Sequence, residues 1–161
     1  MNVWKSEDWK SYYASHKTRS GIRMNYDRGI DEDLKLAIQR LVSWLRREFV
    51  FPIRLHVYVK NDLLVEAMDG DMVYSVFLWS DSKLEEPYIK IAVADYPELL
   101  EDIGRDRAMG TIMMDLLKQF THYFQWLNDA DLKLNDEGLR RQGYLLARRV
   151  LNKYADMVKH P

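Results

Sequence analysis

Between residues 106 and 127 apolar side chains recur at steps of three and four: Met109, Ile112, Met113, Leu116, Leu117, Phe120, Phe124 and Leu127. That spacing lines one face of a helix of about six turns, and a stripe of that length must be laid against other elements. Two further segments carry the same period. In residues 32–49 it runs through Leu34, Ala37, Ile38, Leu41, Val42 and Leu45, and in residues 137–158 through Tyr144, Ala147, Val150, Leu151, Tyr154 and Val158. The first of these has its own punctuation. Asp31 is placed to cap the N-terminus, Glu32 and Asp33 suit the positive end of the helix dipole, Arg46 and Arg47 suit the other end, and Pro52 stops continuation. Three long helices, each with one face to hide, bound the fold.

Between them the period changes to two. Ile53, Leu55, Val57 and Val59 alternate with Arg54, His56, Tyr58 and Lys60, the pattern of a half-buried strand. Residues 63–68 and 72–79 flank Asp69-Gly70, a hairpin signal. Both faces of 72–79 are apolar, which predicts a central, covered strand. Ser80-Asp81-Ser82 and Pro87 bound a loop, and Tyr88–Ala94 follows as a last strand with Ile89, Ile91 and Val93 on one side. Residues 1–30 are polar with scattered aromatics (Trp4, Trp9, Tyr12, Tyr13, Tyr26), punctuated by Gly21 and Gly29, and read as a short helix or a packed arm. The order helix, four strands, two helices predicts an α+β domain spanning 1–161, with a mixed, twisted sheet of about four strands against three long helices. No repeat or low-complexity linker divides it.

Composition narrows the function classes. A net charge of −1 with interspersed signs supplies no field for nucleic acid or anionic lipid. The absence of cysteine removes disulfides, thiolate metal sites and a thiol nucleophile. The first ten residues have no apolar h-region, and no apolar run is long enough to span a bilayer, so the expectation is a cytoplasmic protein. No phosphate loop, dinucleotide fingerprint or nucleophile elbow is present.

Chemistry-bearing residues gather on the polar side of the 106–127 helix. Thr111, Lys118, His122 and Gln125 share a face, Lys118 and His122 being neighbours at i and i+4, with Gln119 and Trp126 beside them. On the last helix Arg140 is in register with Tyr144, Ala147, Leu151 and Val158, which points it inward near a helix N-terminus, where a cation is unfavourable.

The segment Leu116-Leu117-Lys118-Gln119-Phe120-Thr121-His122-Tyr123-Phe124-Gln125 resembles the active helix of a family of small bacterial zincin-like proteins related to the gluzincins, which carry H-E-x-x-H-Y-F-Q there. In that motif two histidines one turn apart hold zinc and the glutamate activates the bound water. The resemblance extends through Ser20-Gly21-Ile22-Arg23-Met24, Trp44-Leu45-Arg46-Arg47, Phe51-Pro52-Ile53-Arg54, Ala67-Met68-Asp69-Gly70, Glu86–Ala92 and Asp95-Tyr96. It ends at Arg140-Arg141-Gln142-Gly143 and Tyr154, where the family has E-R-Q-A with its third zinc ligand. It covers about residues 18–161, the length of one domain. It implies a zincin-like fold with the 106–127 helix beneath the sheet and the Lys118/His122 face opening to a cleft under Tyr88–Ala94 as edge strand.

Carried over residue by residue, the first histidine is Lys118, the general base is Gln119 and the third ligand is Arg140, leaving only His122. A catalytic zinc site needs about three protein ligands, and a glutamine accepts no proton at neutral pH, so the resemblance implies a lost zinc site and no metallopeptidase activity. Lys118 and Arg140 either replace the metal's charge, making with His122 and Trp126 a cleft for a small anion or a peptide, or pair internally with carboxylates such as Asp115 or Glu137. His122 by itself suits a hydrogen-bonded residue on a helix face, and His16, His56 and His160 lie near no cluster with ligand spacing. Three readings follow: a non-catalytic, metallopeptidase-like binding protein, a hydrolase with a divergent site around His122, or a structural interaction domain.

Overall fold

The computed structural model describes residues 2–10 and 19–159. Its elements are β1 (Ile22–Tyr26), α1 (Glu32–Glu48), β2 (Leu55–Lys60), β3 (Val65–Glu66), β4 (Met72–Val73), β5 (Ser75–Leu78), β6 (Tyr88–Ala92), α2 (Tyr96–Ile103), α3 (Arg105–Leu127), a 3-10 turn (Ala130–Leu132) and α4 (Asp136–Lys159). The fold is α+β with a mixed sheet in the order β1-β2-β6-β5, in which β1, β2 and β6 are parallel and β5 is antiparallel to β6. Alternation gives the sheet a dry face and a wet one. Leu55, Val57, Val59, Ile89 and Ile91 are buried under the helices, while Tyr58 and Tyr88 on the other face stay partly in solvent, edge to face at 6.0 Å.

The three long helices lie within a residue of the expected bounds. Asp31 caps α1 as expected, its side chain accepting from Leu34 N at 3.1 Å. Helix α3 is the centre of the molecule. Its whole expected stripe is buried, and so are Thr121, Tyr123, Gln125 and Trp126 on its other sides. Gly104, at φ +81°, turns the chain sharply from α2 into α3.

Several expectations about the strands need correction. The segment 72–79 is not a central strand. It breaks at Tyr74 into β4, which pairs with β3 (Val65↔Val73, Glu66↔Met72), and β5, which forms an edge of the main sheet. Its outward residues Met72, Tyr74 and Trp79 are exposed, so its two apolar faces do not signal burial on both sides. Tyr88–Ala92 is correspondingly an interior strand, between β2 and β5, and not the edge. The fourth strand of the sheet is β1, in a region read as helix or arm; its alternation of Ile22, Met24 and Tyr26 with Arg23 and Asn25 is too short to stand out. Helix α2, opened by Pro97 in its first turn, was not anticipated either. On α4 the inward face is Gly143, Leu146, Ala147, Val150 and Tyr154, while Tyr144 and Val158 are exposed. That is a partial turn away from the expected stripe.

Residues 2–10 do pack as an arm. Val3 and Trp4 are buried, and the Trp4 ring lies 4.8 Å from both Phe49 and Phe124. Its Nε1 donates to Thr121 Oγ1 at 2.9 Å, and that hydroxyl donates onward to Leu117 O. Tyr12, Tyr13, His16 and His160 lie outside the described residues. Among the described residues no helix is long and apolar enough to cross a membrane.

Trp4 therefore carries two separable terms. Trp4→Ala should cost about 3–5 kcal/mol in equilibrium denaturation, as for a buried aromatic emptied into a cavity. Trp4→Phe should lose less, because Thr121 keeps its bond to Leu117 O and only a hydrogen bond worth about 1 kcal/mol disappears along with part of the ring's packing.

Candidate functional site

A cavity of about 420 Å³ opens between the β5 edge and α3. Its walls include Val73, Phe77 and Trp79 from the strand side and Gln119, His122 and Trp126 from the helix side. Trp126 is fixed by Nε1 donating to Ser80 O at 3.0 Å, and Lys83 Nζ lies 4.3 Å from the ring centroid. Lys83 also pairs with Asp129 at 3.2 Å, and Asp81 and Asp131 line the cavity as well, so carboxylates outnumber the one ammonium.

The polar groups of the cavity are held in defined orientations. Gln125 Nε2 donates to Leu139 O at 2.8 Å and to Gln142 Oε1 at 3.0 Å, which leaves Oε1 as the acceptor facing His122 Nδ1 at 2.6 Å. Nδ1 is therefore the protonated nitrogen, and Nε2 carries the lone pair, with no hydrogen bond among the described residues. Burial holds the His122 pKa below its ordinary 6.5, aided by nearby Lys118 and opposed by the Gln125 bond. The imidazole is neutral at physiological pH. Gln119 Nε2 donates to Ser75 Oγ at 3.0 Å, and that hydroxyl donates to Asp115 O, tying α3 to the edge strand. The free Gln119 Oε1 and His122 Nε2 give the site two acceptors in search of donors.

The other two candidate residues lie elsewhere. Lys118 pairs with Asp115 at 3.7 Å and lies 5.7 Å from the Tyr144 ring centroid, in a separate groove on the α3–α4 side with Arg107 and Arg148. Burial raises the Asp115 pKa even with Lys118 beside it. Arg140 is exposed, lines no part of the cavity and meets no carboxylate among the described residues, which corrects its expected inward placement. The rotation of α4 responsible for this brings Gly143 to His122: a Cβ there would stand 3.0 Å from Cε1. Of the four positions proposed for an anion or peptide cleft, His122 and Trp126 line the cavity, and Lys118 and Arg140 do not.

These residues do not fit a zinc ion. Among the described residues no group of three or more His, Cys, Asp or Glu converges on a point. Comparison with family models, with curated proteins and with solved structures gives no match in any of the three. The reading of this site rests on its own geometry.

Sequence reasoning reached His122, Gln119, Gln125 and Trp126 through helical periodicity. It missed Ser75, Phe77 and Trp79 as site residues because their segment read as a covered strand. Gly143 entered only as the position where the resembled family has alanine, and as a glycine inside a helix, where alanine would otherwise be worth about 1 kcal/mol more.

Two outcomes follow. A histidine whose folded pKa is depressed stabilises the native state above its unfolded pKa, and that stability is lost as pH falls through the folded value. The unfolding free energy of the wild type should therefore fall relative to His122→Gln as pH drops below about 6.5, whereas Asp115, present in both, cancels from the comparison. Gly143→Ala should be net destabilising despite its better helix propensity, because overpacking costs about 1–3 kcal/mol and Gln125 prevents the ring from stepping aside. The His122 ring resonances should shift in the same variant.

Proposed function

We propose that this chain is a non-catalytic, zincin-like binding domain whose cavity holds an extended, non-acidic peptide segment as an added strand on β5. The observation that carries the reading is the juxtaposition of a free strand edge with an aromatic-walled cavity whose charged lining, Lys83 with Asp81, Asp129 and Asp131, is carboxylate-rich. The register of β5 with β6, together with Ala92 N donating to Tyr74 O, turns the backbone of Ser75 and Phe77 away from β6 toward the cavity side. Strand addition supplies main-chain hydrogen bonds, and adjoining pockets supply preference for side chains. Here the pocket offers aromatic walls (Phe77, Trp79, Trp126) and two acceptors suited to peptide N–H or side-chain amide donors.

Support for the zincin-like part comes from the arrangement of α3 beneath the sheet, with an antiparallel edge strand above the face bearing Gln119 and His122. The expected cleft strand changes from Tyr88–Ala94 to β5, but the relation of strand to helix is retained. The loss of metal chemistry rests on Lys118, Gln119 and Arg140 at the motif positions. Of the two ligand classes, the neutral His122 and the placement of Lys118 and Arg140 outside the cavity favour a peptide over an anion.

Selection from a random linear heptapeptide library should return apolar and aromatic sequences without a preference for acidic ones. Bound peptide should slow amide hydrogen exchange at Ser75 and Phe77. Trp79 is 42% exposed, so Trp79→Ala should change stability by less than about 1 kcal/mol while weakening the selected peptides about tenfold. Selected sequences rich in carboxylates, or no protection on β5, would sink the peptide reading. Added Zn²⁺ should leave the thermal midpoint unchanged, and one equivalent of zinc bound through His122 would overturn the non-catalytic assignment.

A further inference from the structure

The opposite edge of the sheet carries a different signature. Gly21 N donates to Phe51 O at 2.8 Å, Gly21 O accepts from Leu55 N at 2.9 Å and Asp27 N donates to Val59 O at 2.9 Å. Alternation therefore turns the backbone of Arg23 and Asn25 toward β2 and that of Ile22, Met24 and Tyr26 outward. One outward carbonyl, Ile22 O, is held by Arg46 Nη2 at 2.7 Å, and those of Met24 and Tyr26 have no partner among the described residues. A groove of about 770 Å³ runs along this edge, floored by Val42 and Ser43 of α1. Arg23, Arg46 and Arg54 line it, and no carboxylate among the described residues does. Arg54 is shared with Glu86 at 3.8 Å, whereas Arg23 is exposed and its guanidinium meets no carboxylate among the described residues. Tyr26 Oη is buried at the same edge without a hydrogen-bond partner among the described residues.

We propose that the free edge of β1 is a second docking surface, which takes an acidic, extended peptide segment of another protein as an added strand. The backbone of Met24 and Tyr26 supplies the pairing, and Arg23 and Arg46 select carboxylates on the incoming chain. Charge decides between occupants. A second copy pairing β1 with β1 would set Arg23 and Arg46 against their own counterparts. Residues 11–18 contain Lys17 and no carboxylate, so they carry no counter-charge for these arginines. Docking at β1 does not depend on the cavity at β5, because the two edges are separated by β2 and β6.

The test is an NMR titration of the ¹⁵N-labelled full chain with acetyl-Val-Glu-Val-Glu-Val-amide, using the lysine counterpart as control. The acidic peptide should shift the Met24 and Tyr26 amides, slow their hydrogen exchange and leave Phe77 unmoved, and the lysine peptide should bind at least about tenfold more weakly. Arg23→Glu should weaken the acidic peptide about tenfold, and added salt should weaken it too. Met24→Pro should abolish binding, because it removes an outward N–H without breaking a bond to β2. Any of four results overturns the proposal: no shift on β1 at millimolar peptide, equal affinity for the two peptides, Met24 and Tyr26 amides already protected in the free chain, or a β1-dependent dimer in sedimentation. The first three are read on the unmodified chain and do not depend on a variant folding, and the fourth compares the unmodified chain with Met24→Pro.

Discussion

The hydroxyl of Tyr123 fixes the helix at the centre of the molecule. It donates to Ile53 O at 2.6 Å and accepts from Ile53 N at 3.2 Å, in a fully buried setting just before β2 begins at Leu55. Leaving those two backbone groups dry and unpaired would cost about 1–3 kcal/mol each, so α3 has one rotation about its axis that satisfies them. With that rotation set, Phe120 and Phe124 meet Phe51 and Trp4, while Gln119, His122 and Trp126 turn toward the β5 edge and α4. The N-terminal arm, the sheet and the cavity all take their positions from it.

What could be read in advance follows the range of the forces involved. Helix faces and caps are local, and Asp31, the α3 stripe and the bounds of α4 were legible from spacing alone. Strand order is not local. Val76, Phe77 and Leu78 look alike in sequence whether neighbours flank them on both sides or on one, and their edge position follows from where β1 inserts. Ile22, Met24 and Tyr26 make a strand by pairing with β2, a partner about thirty residues away in the chain. Likewise the inward face of α4 was misjudged because Gly143 has no side chain to count, yet its missing Cβ is what lets α4 approach His122.

The candidate site shows the same division. Helical geometry placed Lys118 next to His122, and they are indeed close enough for the lysine to act on the imidazole. Neighbouring positions on a helix can nevertheless face different grooves. Lys118 swings to Asp115 and Tyr144, while His122 is turned by Gln125 into the cavity. The result is a cavity whose polar lining combines amides and a neutral ring with Lys83 and the carboxylates of Asp81, Asp129 and Asp131.

A sheet that ends in an open parallel strand on one side and an open antiparallel strand on the other has consequences beyond binding. Contact between the β1 end of one molecule and the β5 end of the next is heterologous and closes on nothing, so each addition would leave a fresh edge and the chain would grow as a fibre. Three features oppose this. Arg46 occupies the Ile22 carbonyl, β5 offers only four residues, and the exposed Arg23 charges the rim of the parallel end. The arginines proposed to make β1 selective would thus also serve as gatekeepers against edge-to-edge growth.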